Sequence, residues 1–489
     1  MITSIDLCLR KSGYLAAILF LSTGMLLAQE KSQQIKDLLN KYHEYGQFNG
    51  SALVADDGEL VFSDGFGMAN MEYDIPNKPE TKHRLGSITK QFTAALILQL
   101  VEEGKLELDK PISTYLPNYK GPAANVVTLH HLLTHSSGIP SYTSFPGFFE
   151  EQSRDPSSPA EFVKVFADST LQFTPGEKFA YNNSGYFLLG HIIEEVTGKS
   201  YEQVLQEKIL EPLDMDDTGY DHHATILKNR AAGYEKNGNE YVNAPYLDMS
   251  LPYAAGSMYS TVEDLYKWDR ALYEDEILSA ESKELMFSPL MPDGDGKYGY
   301  GWSIGDLPVG TSGDSVSIVA HGGGINGFNT LIVRVPEEED LIVLLNNTGG
   351  TMLREMAMGI NNILHGEKAD MPKRSIAMEV LPVFAKDGVD AGLAKYRALK
   401  ADETYGLKEN EMNQIGYQLL QNGKTKEAIE VFKINVAEYP DSWNTYDSLG
   451  EAYMMDRQRD KAIANYEKSI EMNPDNQNGK DMLAKIRAQ

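Results

Sequence analysis

The stretch GSITKQFTAALILQLVEE, residues 86–103, carries the most informative pattern in the chain. Gly86 and Ser87 precede a long apolar segment, which predicts a helix over residues 91–103. Lys90 follows Ser87 by three residues, so both side chains are expected on one face of the helix start. The segment therefore brings a hydroxyl group and an amine together at a helix N-terminus.

Ser87 and Lys90 are the residue types of a nucleophile and its proton acceptor. A serine hydroxyl is a weak nucleophile until a neighbouring base takes its proton. Lysine can be that base where burial or nearby positive charge favours the neutral amine. The helix N-terminus adds positive partial charge and backbone N–H groups that could hold an oxyanion. The short S-x-x-K pattern leaves open the alternative of a serine cap beside a solvated lysine.

Two more distant groups could contribute to the same chemistry. Tyr181 and Asn183 present a phenol and an amide two residues apart. A histidine opens a glycine run at His321, Gly322, Gly323 and Gly324. The sequence contains no G-x-S-x-G, H-E-x-x-H or Walker pattern, which would indicate other hydrolases, zinc proteases or nucleotide binding.

In this order and with these spacings, the segments resemble the serine β-lactamase and penicillin-binding protein superfamily. Within it they are most similar to the class C-like branch of esterases, D-amino-acid peptidases and related hydrolases. The resemblance covers about residues 33–365 and includes VTLHHLLTHSSGIP (127–140), FTPGEKFAYNNSG (173–185), PLDMDDT (212–218), AAGSMYSTVEDL (254–265) and YGYGW (298–302). It implies an α/β (α+β) fold, in which an antiparallel sheet is flanked by helices and joined to a mainly helical subdomain.

The resemblance implies a catalytic role for three residues. Ser87 would be the acylated nucleophile and Lys90 its proton acceptor or electrostatic partner. Tyr181 would be the general base and leaving-group acid. Whether Lys90 or Tyr181 takes the proton during acylation stays open. The implied reaction uses no metal and no cofactor.

The resemblance also implies a set of substrate contacts: Asn183, His321, Gly322 and Gly323, with the backbone N–H groups of Ser87 and Gly324 as the oxyanion hole. His321 and Gly322 stand where the family has the lysine and threonine of a Lys-Thr-Gly element. The pair that holds a substrate carboxylate would then be missing, since histidine is mostly neutral at pH 7. Protonated His321 could still hold an anionic group as the pH falls toward 6.

These implications predict an exported serine hydrolase that forms an acyl-enzyme with an ester, amide or peptide substrate. A β-lactamase or D,D-carboxypeptidase is the first alternative, and it is disfavoured by His321. A non-catalytic sensor or binding protein of the penicillin-binding type is the second alternative. It is disfavoured because Ser87, Lys90, Tyr181 and Asn183 are all present.

Composition excludes several other functions. The 489 residues carry a net charge of −27, which argues against a nucleic-acid partner and against an anionic membrane surface. The single cysteine, Cys8, excludes a disulfide framework and a thiolate-rich metal site. The family resemblance makes His130, His131 and His135 part of a structural turn rather than a metal site.

Residues 1–28 have the order of a secretory signal peptide. Arg10 and Lys11 precede the apolar run YLAAILFLSTGMLL (14–27), and Ala28 is followed by a polar segment. The run is short for a membrane-spanning helix. We therefore expect a periplasmic or secreted protein that would contact a membrane only through an uncleaved leader.

Apolar patterns predict the elements of a domain over residues 29–365. They are helices at 33–45 and 352–364 and strands at 50–55, 59–62, 331–335 and 341–345. Strands near both ends of this region indicate one sheet that is built from the two ends of the domain.

Beyond residue 365 the chain changes character. Residues 366–376 are charged and lack apolar periodicity, which predicts a linker. Residues 377–489 are expected to form helical repeats that bind a protein partner or pack on the hydrolase domain. Six positions recur at an offset of 34 residues: Ile415, Gly416, Leu419, Ala428, Phe432 and Pro440 return as Leu449, Gly450, Tyr453, Ala462, Tyr466 and Pro474. This pattern resembles the tetratricopeptide repeat.

Overall fold

The structure, a computed structural model, describes residues 28–237, 240–351 and 353–488. The chain forms two compact units, the first over residues 28–236 and 241–371 and the second over residues 372–488, with residues 237 and 240 grouped with the second. Their boundary falls inside the stretch predicted as a linker. The predicted signal peptide lies outside the described residues, except for residue 28.

The first unit is built on one eight-stranded antiparallel sheet. From one edge to the other its strands are Met291–Asp293, Gly296–Tyr298, Ser303–Val309, Asp314–Ile325, Phe328–Val335, Asp340–Asn346, Gly50–Asp56 and Glu59–Phe66. The first hairpin of the unit therefore adjoins the last one, and Gly50 lies opposite Asn346. The predicted sheet from the two ends of the domain is confirmed.

Both faces of this sheet are covered, which explains the continuous apolar runs in its central strands. Because successive side chains point to opposite faces, Ala52 and Val54 join one core while Leu53 and Ala55 join the other. The first core contains helices 28–44 and Leu353–Leu364, and the second contains helix Thr89–Glu102 and the helical subdomain.

The helices of the first unit are α1 (28–44), α2 (Thr89–Glu102), α3 (Leu129–Leu133), α4 (Pro159–Phe162), α5 (Asn183–Thr197), α6 (Tyr201–Leu205), α7 (Val262–Ala271), α8 (Ala280–Met286) and α9 (Leu353–Leu364). Short 3₁₀ turns lie at Gly86–Ile88, Ile112–Thr114, Tyr142–Ser144, Val163–Val165 and Tyr253–Ala255. Two π turns lie at Phe148–Gln152 and Gln206–Leu210. Small strand pairs complete the unit: Met68–Asn70 with Ile75–Pro76, Met258–Ser260 between His83–Arg84 and Gly219–Tyr220, and Tyr234–Asn237 with Glu240–Asn243.

Buried asparagine side chains join the two ends of the first unit. The Asn49 N–H donates to Oδ1 of Asn346 at 2.7 Å, and the Asn49 side-chain amide donates to Oδ1 of Asn347 at 2.6 Å. These bonds satisfy polar groups that burial would otherwise leave unpaired. They fix the register between the first and last strands of the unit's chain.

The second unit is helical apart from a short parallel strand pair, Arg374–Ser375 with Tyr405–Gly406. Its helices are Ile376–Asp387, Val389–Lys400, Glu409–Gln421, Thr425–Glu438, Trp443–Met455, Arg459–Met472 and Gln477–Ala488. The last three residues of the predicted linker are therefore ordered, because the Ser375 side chain accepts from the Met378 N–H and caps the first helix.

Two helix pairs of the second unit repeat the same contact. Gly416 packs against the Phe432 ring, and 34 residues later Gly450 packs against the Tyr466 ring. A small residue at each crossing lets the two helices approach closely. The contact occurs where the sequence predicted a repeat, while the assignment to the tetratricopeptide type stays a prediction. In the part of the chain that the structure describes, no helix is long and apolar enough to cross a membrane.

Candidate active site

Ser87 lies in a tight turn between the sheet and helix α2. The predicted helix begins at Thr89, two residues earlier than expected, and the 3₁₀ turn Gly86–Ile88 precedes it. Gly86 has φ of +55°, in the left-handed region that favours glycine, and its backbone lies against Gly324 of the sheet. The Ser87 side chain does not cap the helix.

Lys90 is fully buried and contacts the Ser87 hydroxyl. Its Nζ donates to Oγ of Ser87 at 3.0 Å, to Oδ1 of Asn183 at 2.9 Å and to the carbonyl oxygen of Ala255 at 2.8 Å. Burial holds the pKa of Lys90 well below its ordinary value. The alternative of a solvated lysine beside a serine cap is therefore wrong.

Tyr181 completes the group around the Ser87 hydroxyl. Lys90 Nζ lies 4.9 Å from the centre of the Tyr181 ring. The ring keeps 41% of its surface exposed, yet burial around the hydroxyl raises the pKa of Tyr181 above its ordinary value, and a hydrogen bond with Ser87 opposes the rise. The phenol is therefore protonated near neutral pH.

His135 fixes the segment that carries Tyr181. Its carbonyl oxygen accepts from the Ala180 N–H at 2.8 Å, and its Nδ1 accepts from the Asn182 N–H at 3.0 Å. The His135 ring lies 4.3 Å from the Tyr181 ring. The family resemblance places His135 in a structural turn, but nothing in the residues near His135 indicates a contact with a residue 46 positions later.

The other two histidines of the turn have separate partners. Nδ1 of His130 lies 2.7 Å from the Tyr300 hydroxyl, and Nδ1 of His131 accepts from the Thr128 N–H at 3.2 Å. Across the described ranges, no group of three histidine, cysteine, aspartate or glutamate side chains is placed to hold a metal ion.

Asn183 begins helix α5 and faces the lysine. Its side-chain amide donates to the Thr143 hydroxyl at 3.3 Å while its Oδ1 accepts from Lys90. Asn182 caps the helix by accepting from the Gly185 N–H at 2.6 Å. The Asn182 cap therefore fixes the backbone at the start of α5, between Tyr181 and Asn183.

The glycine run forms the strand edge beside Ser87. Strand Asp314–Ile325 pairs with strand Ser303–Val309 only as far as Ala320, whereas its pairing with Phe328–Val335 continues to Ile325. The edge of residues 321–325 is thus left to face the turn of Ser87. Ser87 and Gly324, whose backbone N–H groups the resemblance implies as the oxyanion hole, therefore belong to adjoining segments.

His321 does not offer a cation to the site. It is 6% exposed, its Nε2 lies 2.9 Å from the Tyr298 hydroxyl, and its Nδ1 lies 2.6 Å from the Gly322 carbonyl oxygen. Burial, with a contribution from Lys90, lowers the pKa of His321 to about 3. This shift favours the neutral ring and disfavours the conditional role of protonated His321 in holding an anionic group near pH 6.

Replacing Gly323 with alanine is expected to lower kcat/KM about a hundredfold. An added methyl group would overlap the Leu85 carbonyl oxygen and the Thr330 hydroxyl, and would push the strand away from Ser87. Displacing one oxyanion donor costs about 10²–10³-fold in rate. The matched control is Gly322→Ala, where the nearest atom outside the adjoining residues is the Thr330 carbonyl oxygen at 3.7 Å, so the loss should stay below tenfold. Equal kcat/KM for the two variants, with unchanged thermal unfolding, would contradict the arrangement.

A cavity of about 330 Å³ adjoins Ser87, Asn183 and Gly324. Its further walls include the side chains of Tyr142, Phe148, Leu251, Phe328 and Glu235. These residues come from short turns, a loop and two strands that lie far apart in the sequence, which is why the sequence did not indicate them. The cavity has the volume of a small-molecule site.

Comparison with known proteins agrees with this geometry. The family model named Beta-lactamase matches residues 35–364. Penicillin-binding protein 4* of Bacillus subtilis (strain 168) is 31% identical over 369 residues, which cover 71% of this chain and 79% of that protein.

Two solved structures are also similar. The octameric penicillin-binding protein homologue from Pyrococcus abyssi is 32% identical, with a TM-score of 0.60 over 72% of this chain and 81% of that one. D-amino acid amidase from Ochrobactrum anthropi SV3 is 26% identical, with a TM-score of 0.58 over 68% of this chain and 99% of that one.

Proposed function

Since this chain belongs to the Beta-lactamase family of serine hydrolases, we propose that it hydrolyses its substrate through an acyl-enzyme on Ser87. The observation that carries the proposal is the buried amine of Lys90, 3.0 Å from the Ser87 hydroxyl. Among the described residues Lys90 forms no ion pair with a carboxylate, and the three oxygen atoms that accept its hydrogen bonds are uncharged. A neutral amine can accept a proton, as the activation of serine requires.

Acylation would begin with attack of Ser87 Oγ on the carbonyl carbon of the substrate. The serine proton passes to Nζ of Lys90, and the tetrahedral oxyanion is held by the N–H groups of Ser87 and Gly324. The bond to the leaving group then breaks, and the leaving group takes a proton from the Lys90–Tyr181 pair. Water attacks the resulting ester and releases the acid and free Ser87.

The opposite pKa shifts of the two candidate bases support a division of labour. Burial lowers the pKa of Lys90, which favours the neutral amine, and raises that of Tyr181, which favours the neutral phenol. We assign the acceptance of the serine proton to Lys90. Tyr181, whose hydroxyl contacts Ser87, then donates a proton to the leaving group.

The strand beside the site favours esters or amides over β-lactams. A substrate carboxylate would meet neutral His321 and the bare backbone of Gly322, neither of which supplies a charge-assisted bond. A β-lactamase or D,D-carboxypeptidase is therefore the second candidate. A non-catalytic sensor ranks third, because Ser87 keeps its contact with Lys90 and Asn183 accepts from the same amine.

A short chromogenic acyl ester should be hydrolysed with a kcat/KM at least tenfold above that of a chromogenic cephalosporin. A lost charge-assisted hydrogen bond is worth about 1.5–3 kcal/mol, or roughly ten- to hundredfold in rate. The double variant His321→Lys with Gly322→Thr should lower the ratio of ester to cephalosporin kcat/KM by raising cephalosporin turnover. Cephalosporin hydrolysis by the unmodified protein that equals its best ester would put the β-lactamase candidate first.

We further propose that the protein is exported and that the second unit binds a protein partner. The order of charged, apolar and small residues over 1–28 supports export, which fractionation of cells expressing the full chain would check. The repeated glycine–aromatic contacts of the second unit support a regular helical stack of the kind that presents an extended binding surface.

A further inference from the structure

One ionisable acid lines the cavity beside Ser87. Of the residues that line it, Glu235 is the only carboxylate, and none is lysine, arginine or histidine. The remaining walls are largely apolar and aromatic, including Tyr142, Phe148, Phe149 and Phe328. Glu235 is therefore the one negatively charged side chain on the wall of this cavity.

The Glu235 side chain is held in place but has no charged partner. Its Oε1 accepts from the Gly327 N–H at 3.0 Å, which fixes the carboxylate against the loop after strand Asp314–Ile325. Among the described residues, no ion pair includes Glu235. The side chain is half-buried, so a bound substrate would remove water from it.

We propose that Glu235 selects acyl groups that carry a primary ammonium next to an apolar body. The inference rests on the proposed hydrolase function and deepens it. An ammonium group supplies three donors and a positive charge to the carboxylate, while the aromatic walls cover the apolar body. A neutral acyl group of the same shape would leave the desolvated carboxylate unpaired, and sites of this kind discriminate strongly against the analogue that lacks the polar group.

The charge of the chain is consistent with this preference. A net charge of −27 attracts cationic substrates and repels anionic ones during encounter. Long-range attraction alone would not distinguish one acid from another. The test therefore compares Glu235 with an acid elsewhere on the surface.

The test compares the 4-nitroanilides of phenylalanine, as both enantiomers, with that of 3-phenylpropionic acid, which lacks the amine. In the unmodified protein, kcat/KM for the better phenylalanine enantiomer should exceed that of the amine-free substrate by about tenfold or more. Glu235→Gln keeps an acceptor for the Gly327 N–H but loses the charge, so the ratio should fall to near one. Glu337→Gln, at an exposed acid in a hairpin turn, should keep the ratio of the unmodified protein.

A binding measurement tests the preference of Glu235 for an ammonium group without requiring turnover. Calorimetry of 2-phenylethylammonium and of neutral 2-phenylethanol with the full-length Ser87→Ala protein should show tighter binding of the ammonium, and Glu235→Gln should remove the difference. Equal binding of both compounds, or a preference that survives Glu235→Gln in a folded protein, would overturn the inference. Failure of the proposed hydrolase function would give a different result. No substrate would then be turned over, while calorimetry would still show tighter binding of the ammonium compound.

Discussion

Ser87→Ala is expected to abolish hydrolysis, with a fall in kcat/KM of roughly 10⁴- to 10⁶-fold on the best substrate. Loss of the nucleophile removes the acyl-enzyme route altogether, and what remains is binding and the oxyanion donors. A fluorophosphonate probe followed by peptide mass spectrometry should label Ser87 in the unmodified protein and nothing in the variant. The fold should be retained, because the Ser87 side chain makes no cap bond in the turn.

Ser288→Ala is the matched control for the probe experiment. Its hydroxyl donates to the Glu284 carbonyl oxygen at 2.7 Å, far in sequence from the site and with no lysine partner. Labelling and turnover should both be unchanged in this variant. Full labelling of Ser87→Ala would show that another residue is the nucleophile and would remove the proposed mechanism.

Lys90→Met is expected to lower kcat/KM by roughly 10³-fold, or about 4 kcal/mol of transition-state stabilisation. Methionine fills the buried space of the lysine stem but cannot accept the serine proton. Single-turnover acylation, measured by release of the chromogenic leaving group, would show the loss directly. Turnover at the unmodified rate would exclude Lys90 from proton transfer.

The same variant tests the lowered pKa of Lys90 through the pH dependence of stability. The folded state lowers the pKa of Lys90, so the unfolded chain binds more protons between the lowered value and the ordinary value near 10.4. Stability contributed by Lys90 therefore rises with pH through that window. We expect the Tm of the unmodified protein minus the Tm of Lys90→Met to increase as the pH rises from 6 to 9. A constant difference in Tm would contradict a lowered pKa.

The parts of the site that lie close together in sequence could be predicted from residue patterns. Ser87 and Lys90 are one helical turn apart, so their contact follows from spacing alone. The hairpins at the two ends of the first unit could be predicted because their apolar runs are separated by turn residues. Tyr181 and the glycine run could be placed beside Ser87 only through the family resemblance, because no local rule connects segments about 90 and 230 positions apart.

Other properties depend on burial, which residue type does not reveal. Histidine is mostly neutral at pH 7 in any case, but only the structure shows that burial lowers the pKa of His321 to about 3. Glu235 and Tyr142 reach the cavity from a short strand and a 3₁₀ turn whose sequences carry no motif. The sequence predicts the turn that contains His135, but it does not indicate that His135 contacts Tyr181. Each of these features arises from packing between distant segments.

The asparagine bonds between Asn49 and the strand ending at Asn346 have a consequence for how the chain acquires its fold. The two residues are 297 positions apart, and closing a loop of that length costs about 3 kcal/mol more than closing a ten-residue loop. At a synthesis rate of about 5–20 residues per second, the first hairpin waits roughly 15–60 seconds for its partner strand. During that interval helix 28–44 can cover only one face of the hairpin, so the face of Leu53 and Ala55 and one strand edge stay exposed on the nascent chain.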